Sequence, residues 1–333
     1  MCDHVDNISD TSTDYPYHRL LDDRPDQVFT VKTPRIIAAR KLLKSAGRRK
    51  EKKFLVGGFN GVDGAVSAGV DKEVFVADTT WNKFSTLREL ARGQRIPVSL
   101  IDDKAASALS ETVSDSGIFA TCQLLSTSVE SCLNHARSGR GLVAVGIDMS
   151  DPGNAGTFIR TADAVGADCV MFLGNSVDFH NGKTVRSAAG SVFRIPIGRE
   201  RDIKNSLDDL SSAGFQIVAT TIDGETSLDE AADDAAQWRI RRARTAEGAG
   251  ELAAAGAAAA QMGAQPPIMT RPSAWLFGNE AHGLSTDTAD FADVRVRIPI
   301  RGSAESFNVA GAAAITLYEA SRALSSSQGI DRL

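Results

Sequence analysis

The run Arg297–Ala320 constrains this chain more than any other stretch. It reads Arg-Ile-Pro-Ile-Arg-Gly-Ser-Ala-Glu-Ser-Phe-Asn-Val-Ala-Gly-Ala-Ala-Ala-Ile-Thr-Leu-Tyr-Glu-Ala. The strand expected over Val294–Ile298 must stop at Pro299, because proline has no N–H to offer a ladder. A polar loop follows, and then a helix built largely from Ala310, Gly311, Ala312, Ala313 and Ala314. Side chains this small let another backbone come very close. Ser306 and Asn308 stand where a side-chain oxygen can cap free N–H groups at a helix start. The same N–H groups make a good seat for a polar or anionic ligand. Taken alone, the run fits an ordinary capped helix on an α/β sheet equally well.

Length and composition narrow the setting. A chain of 333 residues suggests two domains. With 42% hydrophobic and 24% charged residues it has the balance of a soluble globular protein. No stretch approaches the ~20 continuous apolar residues of a membrane span. The N-terminus lacks the basic-then-apolar pattern of a signal peptide, so a cytoplasmic protein without membrane partners is expected. Cys2, Cys122, Cys132 and Cys169 form no Cys-x-x-Cys pair, and the carboxylates show no ligand pattern, so neither disulfide nor metal is implied. The net charge of −5 looks wrong for a nucleic-acid binder until its distribution is considered. Residues 1–31 carry seven Asp against Arg19 and Arg24, which equals the charge of the whole chain. The remainder is neutral overall and can hold basic patches.

Along the chain, residues 1–31 read as a disordered acidic tail. A helix is expected from Thr33-Pro34, with Ile36, Ala39, Leu43 and Ala46 on one face. Lys32–Lys53 holds ten basic residues and one acid, Glu51. A charge run is by default a solvated face, yet this one is dense and one-signed, which favours phosphate contacts. Strands are expected at Phe54–Val56, Glu73–Ala77, Pro97–Ile101 and Ile118–Cys122, so that 32–125 makes a small α/β domain. Residues 126–140 read as a linker or bridging helix. The second domain, 141–325, opens with Leu142–Ile147. Further strands follow at Cys169–Leu173, Phe215–Thr221 and Ser273–Phe277, with a helix at Ile203–Ala213. Residues 231–272 form a low-complexity insertion: Ala246–Ala264 has ten alanines and four glycines in nineteen residues. It reads as a disordered or loosely helical surface excursion with no catalytic role.

Two more stretches share the character of the first. One is Asp148–Gly166, Asp-Met-Ser-Asp-Pro-Gly-Asn-Ala-Gly-Thr-Phe-Ile-Arg-Thr-Ala-Asp-Ala-Val-Gly; the other is Trp275–Ser285, Trp-Leu-Phe-Gly-Asn-Glu-Ala-His-Gly-Leu-Ser. In chain order the three resemble the three motifs of the SpoU (TrmH-like) family of RNA ribose 2′-O-methyltransferases, in the SPOUT superfamily. The resemblance spans about Gly141 to Arg322, and more weakly the region from Pro34. The first domain resembles the ribosomal-protein-like RNA-binding domain that precedes the catalytic one in many relatives. It departs from their Phe-Leu-Val-Glu-Gly at Phe54-Leu55-Val56-Gly57-Gly58, and from their Pro-Gln-Gly at Asp115-Ser116-Gly117.

The resemblance implies S-adenosylmethionine held in a deep C-terminal trefoil knot, and a homodimer that completes the active site. It places Asn154 and the catalytic Arg160 in the first motif, Gly278, Asn279 and Glu280 in the second, and Ser306 and Asn308 in the third. Glu280 and Asn154 are expected to orient Arg160 and its loop. Cofactor contacts fall at Thr220, Gly278, Ile298, Phe307 and Val309, with Phe307 standing where relatives carry an aliphatic residue. RNA contacts are expected from Arg35, Arg40, Lys41, Arg48, Arg49, Lys183 and Arg186. The expected substrate is ribosomal RNA, with tRNA as the alternative. A non-catalytic RNA-binding or ribosome-assembly protein on the same fold is the rival from another class. Neither Gly-x-Gly-x-x-Gly after a strand nor a Walker-type Gly-Lys-Ser/Thr is present, so dinucleotide and P-loop readings lack their fingerprints.

Overall fold

The computed structural model describes residues 24–112, 116–125, 128–248 and 266–327. Its first sheet contains β1 (Val28–Phe29), β2 (Lys53–Gly57), β3 (Asp71–Ala77), β4 (Val98–Ile101) and β5 (Ile118–Gln123) in the order β1-β4-β3-β5-β2. Strands β1, β4 and β3 run parallel, and β5 is antiparallel to both β3 and β2. Helices α1 (Pro34–Lys41), α2 (Ser45–Glu51), α3 (Phe59–Ser67), α4 (Ser85–Gly93) and α5 (Asp103–Leu109) complete the unit.

Two features depart from the sequence reading. β1 lies inside the segment read as tail, pairing Val28 with Leu100 and Phe29 with Ile101; a two-residue edge strand is too short to show a period. Residues 1–23 of that tail lie outside the described residues. The basic helix is also broken, ending at Lys41 and restarting at Ser45. Gly47 explains the corner. A Cβ there would sit 2.0 Å from the Lys41 carbonyl oxygen, so α2 crosses the end of α1 at a distance only glycine allows.

The second sheet holds β6 (Leu142–Ile147), β7 (Cys169–Leu173), β8 (Ile197–Glu200), β9 (Gln216–Thr220), β10 (Thr226–Ser227), β11 (Ser273–Phe277) and β12 (Val294–Arg297). Their order is β10-β12-β9-β11-β6-β7-β8, and every pair is parallel. The central strands β6, β7 and β11 are buried along their whole length, as a parallel sheet covered on both faces requires. Helix α6 (Val129–Ser138) precedes this sheet and is no free linker: Cys132, Leu133 and Ala136 are buried with Val143, Val145 and Cys169. Leu207 and Leu210 of α9 (Ile203–Ser212) share that face. Helices α7 (Pro152–Ala164), α8 (Gly182–Ser187), α10 (Leu228–Gly248), α11 (Thr286–Phe291) and α12 (Val309–Ser327) complete the domain.

The insertion also differs from expectation where it is described. Helix α10 occupies its first part, and Leu228, Ala231 and Ala235 are buried in the main core. Alanine at four-residue spacing on a helix face builds close packing as readily as low complexity. Met269, near the far end of the same segment, is also fully buried. Residues 249–265 lie outside the described residues. Although β12 is separated from β6 by two strands, α12 comes back to pack against α7, which follows β6. That return is consistent with the C-terminal knot implied by the resemblance.

The two domains share one continuous apolar core, from Phe54 and Trp81 to Phe158 and Trp275. Arg48 of α2 crosses the joint. Its Nε and Nη2 donate to Asp178 Oδ2 at 3.1 and 2.8 Å, and its Nη1 donates to the Leu42 and Leu43 carbonyls at 3.2 and 3.1 Å. Beside it, His180 Nε2 accepts from the Leu125 N–H at 3.0 Å, and its Nδ1 lies 3.2 Å from Asp178 Oδ1. With Nε2 accepting from the Leu125 N–H, it is the Nδ1 proton that faces Asp178 and is donated to it. Among the described residues, no helix is long and apolar enough to cross a membrane.

Candidate active site

The site is built where α7 begins. Asp148 ends β6 at a φ of 51°, and Asp151 caps the helix by accepting from the Asn154 N–H at 2.8 Å, with Pro152 at the first helical position. The loop after β11 closes onto this turn. Asn279 Nδ2 donates to the Asp148 carbonyl at 2.7 Å, while Asn279 Oδ1 accepts from the N–H groups of Ala281 and His282 at 2.9 and 3.3 Å. Asn279 and Gly283 exchange both backbone bonds, at 3.0 and 2.9 Å. Gly278 permits that closure: a Cβ there would lie 2.2 Å from the Gly283 carbonyl carbon.

Glu280 then joins the second motif to the first. Its Oε2 accepts from Ser150 N–H and Oγ–H at 3.1 and 3.0 Å. Its Oε1 accepts from the Asp151 N–H at 3.1 Å and from Asn154 Nδ2 at 3.3 Å. Asn154 Oδ1 in turn accepts from Asn308 Nδ2 at 3.1 Å, and Asn308 Oδ1 caps α12 by accepting from the Ala310 N–H at 2.9 Å. One chain of hydrogen bonds thus links all three motifs.

The electrostatics define what these carboxylates do. Burial pushes the Glu280 carboxyl up, but N–H groups of its own residue, Ser150 and Asp151, together with the Asn154 amide, outweigh burial and leave it below the ordinary glutamate value. The Lys183 ammonium, 2.9 Å away, and then the Asn154 N–H hold Asp151 below the usual aspartate value. Both groups are fixed anions and acceptors, and neither is poised to exchange a proton near neutral pH.

Arg160 lies six residues further along α7, under two turns and about 9 Å of helix rise from Asn154. Its side chain is exposed, and no hydrogen bond or ion pair among the described residues engages it. The expected orientation of Arg160 by Glu280 and Asn154 is therefore not made; those two hold the loop and each other. Ser306 is likewise exposed and makes no side-chain hydrogen bond among the described residues, so Asn308 caps α12 alone.

The five residues expected at the cofactor fall at strand ends and at one helix start. Thr220, Gly278 and Ile298 stand at or just past the carboxyl ends of β9, β11 and β12, which are adjacent in the sheet, and Phe307 and Val309 stand where α12 begins. Ligands of open parallel sheets bind at such carboxyl ends. Thr220 Oγ1 donates to the Leu276 carbonyl and ties two of those ends together. The next residue, Thr221, has a buried hydroxyl with no partner. Ile222, beside it in the chain, is 83% exposed, and Phe307, two residues before α12, is 43% exposed, so both leave apolar surface uncovered. An orphaned hydroxyl beside open apolar surface fits a ligand with an apolar ring and polar edges, so these residues fit S-adenosylmethionine. Sequence reasoning missed Ser150, Thr221 and Ile222. Only Ser150, inside the first motif, carried any signal.

The basic candidates separate. Arg40, Lys41 and Arg49 are exposed, without an ion pair among the described residues, and Arg35 pairs with Glu73 at 3.0 Å. Lys183 holds Asp151, and Arg186 pairs with Glu111 at 2.8 Å. Arg48 is the correction. It is 4% exposed, and its donors serve the domain joint instead of facing solvent.

A parallel α/β domain with a C-terminal helix returning to this motif cluster defines a methyltransferase of the SPOUT class. The profile of the SpoU rRNA Methylase family matches residues 141–318, and the chain belongs to that family. It is 30% identical to the 23S rRNA (guanosine(2553)-2′-O)-methyltransferase RlmP of Bacillus subtilis, over 88% of this chain and 98% of that one. Among solved structures it is similar to the AdoMet-bound rRNA methyltransferase from Sinorhizobium meliloti, with a TM-score of 0.65 and 26% identity over 89% of this chain and 98% of the other. AviRb from Streptomyces viridochromogenes, solved with AdoMet, shares the fold at a TM-score of 0.67 and 24% identity over 87% and 98% of the two chains.

Proposed function

We propose that the chain is an S-adenosylmethionine-dependent RNA methyltransferase that modifies a ribose 2′-hydroxyl of 23S ribosomal RNA. The observation that carries this reading is the Glu280–Asn154–Asn308 hydrogen-bond chain, which joins the three family motifs beside the carboxyl ends of β9, β11 and β12. The names of the similar rRNA 2′-O-methyltransferases support the choice of RNA.

Thr220, Gly278, Ile298, Phe307 and Val309 hold the cofactor, and when bound it supplies an electrophilic methyl group. The chain's own residues do the rest by positioning and electrostatics. Arg160 is no base, since a guanidinium stays protonated. It grips the phosphate next to the target ribose and stabilises negative charge growing on the 2′-oxygen. Glu280 and Asn154 keep the first motif's loop rigid, Asn308 fixes the start of α12 against that loop, and Ser306 faces the ribose. Arg35, Arg40, Lys41 and Arg49, with Lys183 and Arg186, form the RNA-facing surface.

The protein works as a homodimer in the cytoplasm, where ribosomal RNA is met. Ile315 and Tyr318 lie exposed along α12, and a second copy covers such a face and brings its partner the Arg160 that one copy leaves unengaged. The test is incubation with methyl-labelled S-adenosylmethionine and unmodified 23S rRNA or tRNA, followed by alkaline digestion. A 2′-O-methyl group blocks cleavage, so label in an alkali-resistant dinucleotide from 23S rRNA is expected. Label in ordinary mononucleotides means base methylation and refutes the proposal; label from tRNA alone refutes the substrate.

A further inference from the structure

A cavity of about 310 Å³ lies between the two domains. Leu43, Leu55 and Phe119 give it apolar walls; Phe59 stands beside it at the start of α3; Glu111 and Arg186, themselves an ion pair, also line it. Its size is at the small end of ligand sites, room for one planar ring system and not for a folded segment. Phe59 is 49% exposed, yet its ring stacks on buried Phe84 at 6.0 Å and 15°. A half-exposed aromatic held still by a second ring is a platform for a flat partner.

The surroundings say which partner. Lys41 and Lys44, exposed, adjoin Leu42 and Leu43 of the wall in the chain, and Arg186 offsets Glu111, the one carboxylate among the lining residues, so the surroundings favour an anionic ligand. Helix α8 ties the cavity to the active site. Lys183 reaches Asp151 at the start of α7, and Arg186, three residues on, lines the cavity; such neighbours sit ~5–6 Å apart on a helix. RNA-binding proteins read single-stranded RNA by splaying bases onto aromatic side chains.

We propose that this cavity receives an unpaired nucleobase of the substrate RNA, a near neighbour of the methylated nucleotide, stacked on Phe59. The proposal rests on the RNA-methyltransferase reading above, but its test does not depend on turnover. Isotope-labelled full-length protein with S-adenosylmethionine is titrated with AMP, GMP, CMP and UMP, and with ribose 5-phosphate as the base-free control. The amides of Gly58, Phe59 and Gly61 are expected to shift saturably with at least one nucleotide and not with ribose 5-phosphate. Phe59→Leu is expected to abolish the shifts and Phe59→Tyr to keep them. With a 23S rRNA transcript, Phe59→Leu is expected to raise KM about tenfold, leaving kcat and S-adenosylmethionine affinity unchanged. The proposal is overturned if no nucleotide moves these amides, if ribose 5-phosphate moves them equally, or if KM is unchanged in Phe59→Leu. Failure of wild-type protein to methylate RNA would instead strike the proposed function.

Discussion

The domain joint and the motif cluster use the same kinds of residue to opposite ends. At the joint, Arg48, Asp178 and His180 are matched to one another, to three backbone groups and to the flanking rings of Phe54 and Phe179. At the cluster, Arg160 is exposed and unengaged among the described residues, the Thr221 hydroxyl is buried without a partner, and Phe307 and Ile222 face solvent. Polar groups satisfied from within hold a structure together. Polar and apolar groups left over, on a rigid base, mark where something else binds. The contrast is sharpest between two arginines, Arg48 and Arg160, which the sequence alone placed together among functional residues.

The largest effect expected is on the joint. Arg48→Ala leaves Asp178 without its cation and two backbone carbonyls without their donor, a loss of about 3–5 kcal/mol in urea unfolding. Arg40→Ala, on the exposed face nearby, should stay within about 0.5 kcal/mol. Acid probes the same joint. Burial pushes the Asp178 carboxyl up, but bonds from His180 and Arg48 outweigh it and hold it well below the ordinary aspartate value. The unfolded chain therefore takes up that proton first. The joint's contribution is complete above an unfolded aspartate pKa of about 3.9 and is lost as pH falls below it. Asp178→Asn should flatten that acid limb; an unchanged limb would mean the joint does not titrate.

Arg160 should behave the other way round. Arg160→Ala is expected to lower kcat by about 10²–10³ while leaving the urea midpoint where it was. A shifted midpoint would place Arg160 with Arg48 as a structural residue. Arg160→Lys keeps the charge but loses the planar fork, so a near-wild-type rate in that variant would defeat the proposed grip on phosphate.

The same contrast marks how far the sequence could be read. The central strands were legible because buried parallel strands are near-continuous apolar runs, and the three motifs because they are local. Strands β1 and β10, two residues each, carry no period, and the four residues of β8, two buried and two exposed, show no clear one. The role of Arg48 was hidden because its partner Asp178 lies 130 residues away and because it sits in a run of ten basic residues with a single acid. In the motifs, residue identities were legible and pairings were not. Glu280 was expected to orient Arg160 and its loop; it holds the loop, through Ser150, Asp151 and Asn154, and not Arg160. Thr221 stands out only once burial is known.

The smallest expected effect tests the finest part of the cluster, the link between Asn154 and Asn308. Asn308→Asp keeps an oxygen to cap the Ala310 N–H, and a negative charge at a helix N-terminus is favourable, so folding stability should hold or rise slightly. The link itself fails. Asn154 would then lie between two carboxylates, Glu280 and the new one, and its single amide can donate to only one of them. Rotating that amide moves the mismatch from one neighbour to the other without removing it. The loss is that of one hydrogen bond, about 0.5–1.5 kcal/mol, read as a few-fold fall in methylation at constant urea midpoint. Full activity would show that Asn308 serves α12 as a cap and nothing more. The hydrogen-bond chain through the three motifs would then end at Asn154.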